Sequence, residues 1–358
     1  MKNVFVTVLL LLFSNCLFSQ GYTGTNRELF FGRQSSAKIE AMGQASTAVT
    51  GDLSAVYFNP AGISNLKGVQ IYNNISRGYH NFDSSIFNCF GIGSKLGDKV
   101  VLAYTLQSFK RNVTFIDGNG NYFEYDIKPD LIHKVACSYK PFKTFSIGIA
   151  ANLIDPREYS NGNIKHYNSF YFDFGIIKEF RLFKNNLQQH SFNIGTSISN
   201  FTNSGFKTVF SSSIIYDNLP ITNRYGINYD FILSKNWLID SLNTLKISVV
   251  ADYSFLYNSK FYSGFTFGGQ FEFFDFLSAR IGFNNKNTDT EQYVVFFKES
   301  KLTYGFGLNL PLNKITSLPL QINFDYCHLP AESTNTLEIE YNFRKYNCFT
   351  GSVRWFFK

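Results

Sequence analysis

The feature of this sequence that most restricts its fold is a strict alternation of apolar and polar residues. Within 302–310, a large apolar residue stands at every even position and a small or polar residue at every odd one. The same alternation recurs in 145–149, 245–249, 265–273, 318–326 and 337–343. Successive side chains of a β-strand point to opposite faces, so a period of two is typical of strands. The chain is therefore predicted to be all-β, with one apolar and one polar face on each strand.

Strand length decides between the two architectures that suit such strands. Many of the alternating segments are about ten to thirteen residues long, whereas strands of soluble sheets average ~5–6 and membrane-crossing strands need ~9–11. A soluble barrel would turn its apolar face inward, but a membrane barrel turns that face to lipid. Aromatic residues make up 18% of the chain, which suits a lipid-facing band with interfacial girdles. No segment after residue 20 approaches the ~18 apolar residues of a transmembrane helix. We predict a transmembrane antiparallel β-barrel.

The number of strands is predicted to be about fourteen, an even number as bacterial barrels require. We place them near 68–79, 85–95, 98–109, 130–140, 143–154, 167–180, 188–200, 222–233, 243–255, 262–273, 276–286, 300–310, 317–328 and 335–344. Short and long links tend to alternate between them, as turns and outer loops do in such barrels. Sixteen strands is the alternative, because 348–357 also looks strand-like and 206–216 could hold a further strand.

The first residues predict export. Lys2 is followed by an apolar stretch from Val4 to Phe13 and then by small or polar residues up to Gln20. This is the order of a secretory signal peptide, for which we place the cleavage after Ser19. The predicted domains are therefore a signal peptide at 1–19, an N-terminal hatch or plug segment at 20–66 and the barrel at 67–358. Cleavage would leave Cys89, Cys137, Cys327 and Cys348.

The segment before the barrel has a different pattern. Residues 33–66 are rich in Ala, Gly and Ser, show no strand alternation and contain helix-like pieces. Asp52 can cap a short turn, and Pro60 ends whatever precedes it. A small, weakly apolar segment of this kind suits the mouth of a wide barrel. The alternative is a periplasmic tail.

This segment also carries a family resemblance. The stretches 41–45 (AMGQA) and 55–62 (AVYFNPAG) resemble the N-terminal signature of FadL-type and PorV/PorQ-type outer-membrane proteins. Further stretches at 224–226, 280–283 and 325–326 are similar as well. The resemblance implies a barrel of about fourteen strands with an N-terminal hatch. It assigns a hatch or gating role to Asn59, Pro60, Ala61 and Gly62.

Within that resemblance, two functions are open. FadL-type members pass long-chain fatty acids or other hydrophobic molecules, and PorV-type members serve type IX secretion by holding cargo. The stretch 34–38 departs from the more acidic, arginine-bearing start of PorV. We therefore predict passive uptake of a hydrophobic ligand at the bacterial outer membrane, with an accessory role in type IX secretion as the alternative. The expected partners are outer-membrane lipids, a hydrophobic small molecule, and secretion proteins or cargo.

Other functional classes are disfavoured. The net charge of +7 is spread through the chain without a basic cluster, which argues against nucleic-acid binding. The sequence contains no hydrolase, metalloprotease or phosphate-loop motif, and none of the five histidines has a Ser or Asp neighbour at the spacing of a nucleophile–base pair. An outer-membrane enzyme is therefore only the second alternative. No catalytic residue, metal site or cofactor is predicted.

The four mature cysteines are far apart and lie in strand-like segments. An oxidising compartment permits disulfides, but their connectivity cannot be deduced from sequence. Unpaired thiols that act as small apolar residues are the preferred interpretation.

Overall fold

A computed structural model describes residues 36–357 of this chain, with several gaps. The gaps are 80–81, 111, 117–121, 127–128, 156–163, 167, 211–212, 220, 235–241, 257–261, 289–296, 330–331, 337–338 and 344–345. The predicted signal peptide at 1–19 and the first part of the predicted plug, 20–35, lie outside the described residues. Among the described residues, no helix is long and apolar enough to span a membrane.

Fourteen antiparallel strands form one closed barrel. In order around the barrel they are β1 (Val69–Tyr79), β2 (Phe82–Leu96), β3 (Val100–Lys110), β6 (Asp130–Phe142), β7 (Phe145–Asp155), β9 (Ser169–Lys184), β10 (Gln188–Ser199), β13 (Thr222–Leu233), β14 (Leu245–Leu256), β15 (Tyr262–Phe273), β16 (Leu277–Thr288), β17 (Phe297–Leu310), β18 (Leu320–Leu329) and β21 (Tyr346–Trp355). The barrel closes because β1 pairs with β2 on one side and with β21 on the other. Closure leaves no free sheet edge, which is what a bilayer requires of strands.

Short extra strands all emerge from one end of the barrel, here called the loop end. They are β4 (Asn112–Ile116), β5 (Tyr122–Asp126), β8 (Ile164–His166), β11 (Gly205–Phe210), β12 (Ser213–Asn218), β19 (Glu332–Thr336) and β20 (Ile339–Phe343). They pair as β4–β5, as β19–β20 and as a three-stranded sheet β12–β11–β8. The opposite end, the turn end, has shorter links, one of which contains helix α2 (Leu312–Ile315). Short turns at one end and long loops at the other are typical of outer-membrane barrels.

The predicted fourteen-stranded barrel is confirmed, but one predicted strand is wrong. The segment 335–344 does not close the barrel; it contributes to the hairpin β19–β20, and β21 at 346–355 is the closing strand. Both segments alternate, and alternation shows only that a strand has two different faces. The sixteen-strand alternative is also wrong, because the described residues of 206–216 belong to β11 and β12, which lie outside the barrel sheet.

The two faces of the barrel differ in chemistry. Outward residues are large, apolar and exposed, as with Phe306, which keeps 60% of its surface free. Inward residues are mostly polar and buried, as with Thr303, which has 0% exposure. This is the reverse of a soluble barrel, and it suits a surface that faces lipid.

A charge on the outward face should therefore cost far more than a charge on the inward face. Phe306→Arg is expected to destabilise the barrel by roughly 2–4 kcal/mol, because the guanidinium would lie in the apolar band. Asn323→Lys, on the inward face of the neighbouring strand, should change stability by less than about 1 kcal/mol, since it lies among polar side chains. Reversible urea unfolding in lipid vesicles measures both. Equal costs would mean that the faces are assigned wrongly.

Candidate functional site

Residues 36–66, here called the internal segment, lie against the inward face of the barrel and are mostly buried. The segment contains helix α1 (Ala37–Ala41) and two 3₁₀ helices, Leu53–Tyr57 and Pro60–Asn65. Each 3₁₀ helix starts at a side-chain cap: Asp52 accepts a hydrogen bond from the Ser54 amide, and Asn59 accepts one from the Ala61 amide. Polar caps of this kind satisfy the free amides of a helix start. Side chains next to each 3₁₀ helix in the sequence therefore stabilise its first turn.

The predicted gating residues lie where this segment meets the wall. The Asn59 side-chain amide donates to the Thr47 carbonyl at 2.8 Å, and to the carbonyls of Ile176 on β9 at 3.2 Å and Thr196 on β10 at 3.3 Å. Asn59 is completely buried. It therefore ties two parts of the internal segment to two barrel strands with one side chain.

Pro60, Ala61 and Gly62 follow Asn59 along the wall. Backbone atoms of Pro60 and Ala61 lie directly over Gly148 of β7, where a β-carbon would come within 2.2 Å of both. At Gly62 a β-carbon would lie 2.8 Å from the Ala55 side chain and from the Val49 carbonyl. Close approach therefore accounts for the glycine at this position. A gating role for the four residues stays a prediction.

A single carboxylate on β14, two strands from β10 in the barrel, anchors the middle of the segment. One oxygen of Asp252 on β14 accepts the Ser46 amide at 2.7 Å, the Thr47 amide at 2.8 Å and the Thr47 hydroxyl at 2.7 Å. The three donors converge on one oxygen and hold Ser46 and Thr47 against β14. Sequence reasoning did not single out Asp252, since an inward polar residue is the rule in such a strand.

An ion pair holds the start of the first 3₁₀ helix. Lys38 lies 3.1 Å from the Asp52 carboxylate, and Arg354 of β21 donates to the Gly51 carbonyl at 3.0 Å. Burial by itself would raise the pKa of Asp52, but Lys38, the Ser54 hydroxyl and Arg354 outweigh burial and hold that pKa well below its usual value. Asp52 therefore stays ionised at any physiological pH.

The barrel wall makes room for the internal segment with glycine. We call the following inward residues the glycine girdle: Gly148, Gly175, Gly195, Gly226, Gly268, Gly282 and Gly305. A β-carbon at Gly175 would lie 1.9 Å from the Asn59 side-chain oxygen, and one at Gly282 would lie 1.9 Å from the Gly43 nitrogen. Girdle glycines of neighbouring strands also pair directly, as Gly148 does with Gly175 and Gly268 with Gly282. The backbone of the segment thus lies directly on the sheet.

An apolar cluster lies on the barrel wall between the internal segment and the loop end. We call it the vestibule cluster; its buried inward members are Phe87, Phe109, Ile132, Ile154, Tyr171 and Leu219. Five of them lie on β2, β3, β6, β7 and β9, near the strand ends that face the loop end. Tyr57 of the internal segment packs against the same core. One side of the lumen is therefore apolar at this level.

The vestibule cluster carries a sequence signal that the alternation analysis missed. In the strand segments that contribute to this cluster, an outward apolar residue is directly followed by an inward apolar residue. Such pairs are Ile86 with Phe87, Leu131 with Ile132, Leu153 with Ile154, and Phe170 with Tyr171. A strict period of two cannot produce these pairs, so they mark the places where the inward face changes from polar to apolar.

Polar groups border the cluster on the side of the internal segment. Lys134 of β6 forms a buried ion pair with Asp173 of β9 at 2.8 Å, and Asn152 donates to the same carboxylate oxygen at 2.9 Å. The Lys134 ammonium also lies 5.0 Å from the ring centre of Tyr57. The Tyr57 hydroxyl in turn contacts the Cys89 sulfur at 2.9 Å. Tyr57 therefore joins the apolar cluster to a charged network.

Each histidine whose side chain is described contacts a polar side chain on a neighbouring strand. His133 contacts the Tyr104 hydroxyl, His190 the Tyr229 hydroxyl and His328 the Asn347 side chain. His80 lies outside the described residues, as does the side chain of His166. Within the described part of the chain, no cluster of His, Cys, Asp or Glu could hold a metal ion. The expectation that the protein is not an enzyme stays a prediction.

Comparisons with known proteins bear on the fold. No family model and no curated protein sequence matches the chain. Among solved structures, the Pseudomonas putida toluene transporter TodX is similar at a TM-score of 0.54 and 10% identity, over 91% of this chain and 99% of that one. A TodX deletion mutant, described as a monoaromatic hydrocarbon channel, gives a TM-score of 0.54 at 10% identity, over 90% and 99%. A Pseudomonas aeruginosa FadL homologue gives 0.50 at 12% identity, over 91% and 99%. At these identities the likeness shows that the FadL-type barrel fold is shared.

Proposed function

We propose that this chain is an outer-membrane barrel that takes up a hydrophobic small molecule passively from its loop end. The observation that carries the proposal is the vestibule cluster, an apolar surface inside a lumen whose wall is mostly polar. The same cluster contains Leu53 and Val56 of the internal segment, so an apolar solute at this level would meet apolar side chains from both the wall and the segment. An apolar solute gains about 25 cal/mol for each Å² of surface that it removes from water at such a site.

The outer-membrane location rests on two further features. The outward face of the barrel is an apolar band, so its partners on that side are lipids. The predicted signal peptide supplies the export that this location needs. Bacterial barrels of this kind have their longer loops outside the cell, so the loop end would face the medium and the turn end the periplasm.

The internal segment gives the bound molecule a way to affect passage. Tyr57 contacts the vestibule cluster and belongs to the 3₁₀ helix that is held by Asp52. A ligand that fits the cluster better when this helix has moved would shift the segment toward that position. The gating role predicted for Asn59, Pro60, Ala61 and Gly62 is part of this proposal. These residues follow that helix along the chain, where they begin the second 3₁₀ helix and contact β7, β9 and β10.

The structural neighbours suggest which molecule to test first. Two of them are described as a toluene transporter and a monoaromatic hydrocarbon channel. A single aromatic ring is an apolar solute that aromatic and aliphatic side chains such as Phe87, Tyr171 and Ile154 can surround. Toluene is therefore the probe of choice, with a long-chain fatty acid as the second probe.

Two adjacent residues give a matched test of the proposal. Ile154→Asn places an amide in the vestibule cluster, and Leu153→Asn places the same amide on the outward face. We expect Ile154→Asn to weaken toluene binding roughly tenfold, since an uncompensated buried amide costs about 1–3 kcal/mol. Leu153→Asn should bind as the unchanged protein does. Depletion of toluene from the gas phase above protein-loaded nanodiscs measures this binding.

The outcome separates the candidate functions. Equal toluene and fatty-acid binding by both variants and by the unchanged protein would contradict uptake through the vestibule. The accessory role in type IX secretion would then gain weight, because the segment 41–62 resembles both families. That role needs a cargo surface, for which the strands β4–β5, β8–β11–β12 and β19–β20 extend from the loop end. Loss of secreted proteins from the medium of a strain without this chain would support it.

A further inference from the structure

Two of the four mature cysteines face each other across one strand pair. Cys327 of β18 and Cys348 of β21 are direct partners in the register of these antiparallel strands. Both side chains are completely buried on the inward face, and both are thiols in this structure. Ala37 and Ala41 of helix α1 cover them within one small cluster.

The backbone at this pair fits a disulfide without any change of register. Directly opposite residues of antiparallel strands have Cα atoms about 4.5–5.5 Å apart and Cβ atoms about 4.5–5.5 Å apart. Disulfides need Cα separations of about 4.4–6.8 Å and Cβ separations of about 3.5–4.5 Å. A small approach of the two side chains is therefore enough to bring the sulfur atoms within bonding distance.

The other two cysteines are placed differently. Cys89 is inward on β2, where its sulfur contacts the hydroxyls of Tyr57 and Tyr72, and strand β1 separates β2 from β21. Cys137 is on β6, and it alternates with the buried inward residues Ala136 and Ser138. Among the pairs that the four described cysteines could form, Cys327 with Cys348 is therefore the one that the strand register brings face to face.

We propose that Cys327 and Cys348 form a disulfide in the exported protein. The two thiols are oxidised to one disulfide bond, and their two hydrogens and two electrons pass by thiol–disulfide exchange to an exported protein disulfide, which is reduced to a dithiol. Because helix α1 covers both sulfur atoms in the folded barrel, the exchange takes place before α1 settles on β18 and β21. A folded barrel then shields the bond from reductants.

The bond would act at the place where helix α1 rests. The Cys348 thiol donates to the Asn74 side-chain oxygen at 3.0 Å, and Thr350 donates to the same oxygen at 2.7 Å. The Thr350 hydroxyl in turn accepts the backbone amide of Ala37 at 2.7 Å. Oxidation removes the Cys348 donor and leaves the link from Asn74 through Thr350 to α1. It also ties together the two strands that flank the loop 330–345.

Site-resolved thiol labelling tests the proposal on the full chain. Cells are lysed directly into denaturant with N-ethylmaleimide, and the peptides are mapped by mass spectrometry with and without reductant. We expect Cys89 and Cys137 to be labelled without reductant. Cys327 and Cys348 should appear as one linked peptide and accept label only after reduction.

Two variants complete the test. Cys137→Ser should leave the linked peptide unchanged, whereas Cys327→Ser should abolish it and expose Cys348 to label without reductant. Full labelling of Cys327 and Cys348 without reductant in the unchanged protein would overturn the proposal. So would a linked peptide that contains Cys89 or Cys137. The first arm uses the unchanged chain, so the test does not depend on whether a variant folds.

Discussion

Removal of residues 27–66 is expected to turn a closed barrel into an open pore. Barrels of about eight strands are filled by their own side chains, but wider ones keep a lumen that must be blocked or conducts. In this fourteen-stranded barrel the internal segment occupies the lumen at the level of the glycine girdle. Without it, inward polar residues such as Asn193, Asn228 and Gln270 would line a water-filled channel. Conductance in planar bilayers should rise to that of a porin-like channel.

A folding control accompanies the deletion. The deleted form should still shift its gel mobility between unheated and boiled samples, because barrel pairing between β1, β2 and β21 does not include the internal segment. An inserted, heat-modifiable barrel whose conductance equals that of the intact chain would show that the segment is not the barrier. The periplasmic-tail interpretation would then be the better one.

A point substitution asks the same question without a deletion. Asp252→Ala removes the acceptor of three hydrogen bonds from Ser46 and Thr47. Each buried donor left without a partner costs about 1–3 kcal/mol, so the segment should leave the wall intermittently and single channels should open in bursts. Thr266→Ala is the matched control. Thr266 is the direct neighbour of Asp252 on β15, and its buried hydroxyl has no hydrogen-bond partner among the described residues.

Most barrel strands could be predicted because each one carries its own evidence. Alternation is local, so thirteen of the fourteen strands were placed without knowing their neighbours. The prediction of the fourteenth strand was wrong because alternation is only a local signal. The segment 337–343 alternates strictly and 346–355 less so, yet pairing with β1, almost 280 residues away, selects the second. Local patterns contain no information on such distant partners.

The candidate site was less predictable than the fold. Asn59 and Pro60 could be identified because the stretch 55–62 resembles a known N-terminal signature. Asp252 and the girdle glycines could not, since small or polar residues are expected at any inward position. Their role appears only where the internal segment meets the wall. The vestibule cluster could be predicted in part, because its consecutive apolar pairs are visible in the sequence once the inward face of each strand is known.

A substitution in the glycine girdle is expected to have the second large effect on channel closure. The comparison uses two consecutive residues, Gly268, which faces the lumen, and Gly269, which faces lipid. A β-carbon at Gly268 would lie 2.4 Å from the Met42 carbonyl oxygen and 2.6 Å from the Met42 β-carbon. Gly268→Val is therefore expected to push the internal segment off β15, at a cost of about 1–3 kcal/mol in stability. At Gly269 the nearest heavy atom to a β-carbon is 4.0 Å away, on Ser248.

Gly269→Val should accordingly fold as well as the unchanged chain, because valine is favoured in strands and would point toward lipid at this position. Heat-modifiable gel mobility and planar-bilayer conductance distinguish the two variants. Gly268→Val should insert as a barrel and conduct nearly as well as the form without residues 27–66, whereas Gly269→Val should stay closed. If both variants stay closed, the segment tolerates a side chain beneath Met42, and its seat on the girdle is not what blocks the lumen. If both open, strand β15 itself is disturbed, and the close contact between Met42 and Gly268 has no special part in closing the barrel.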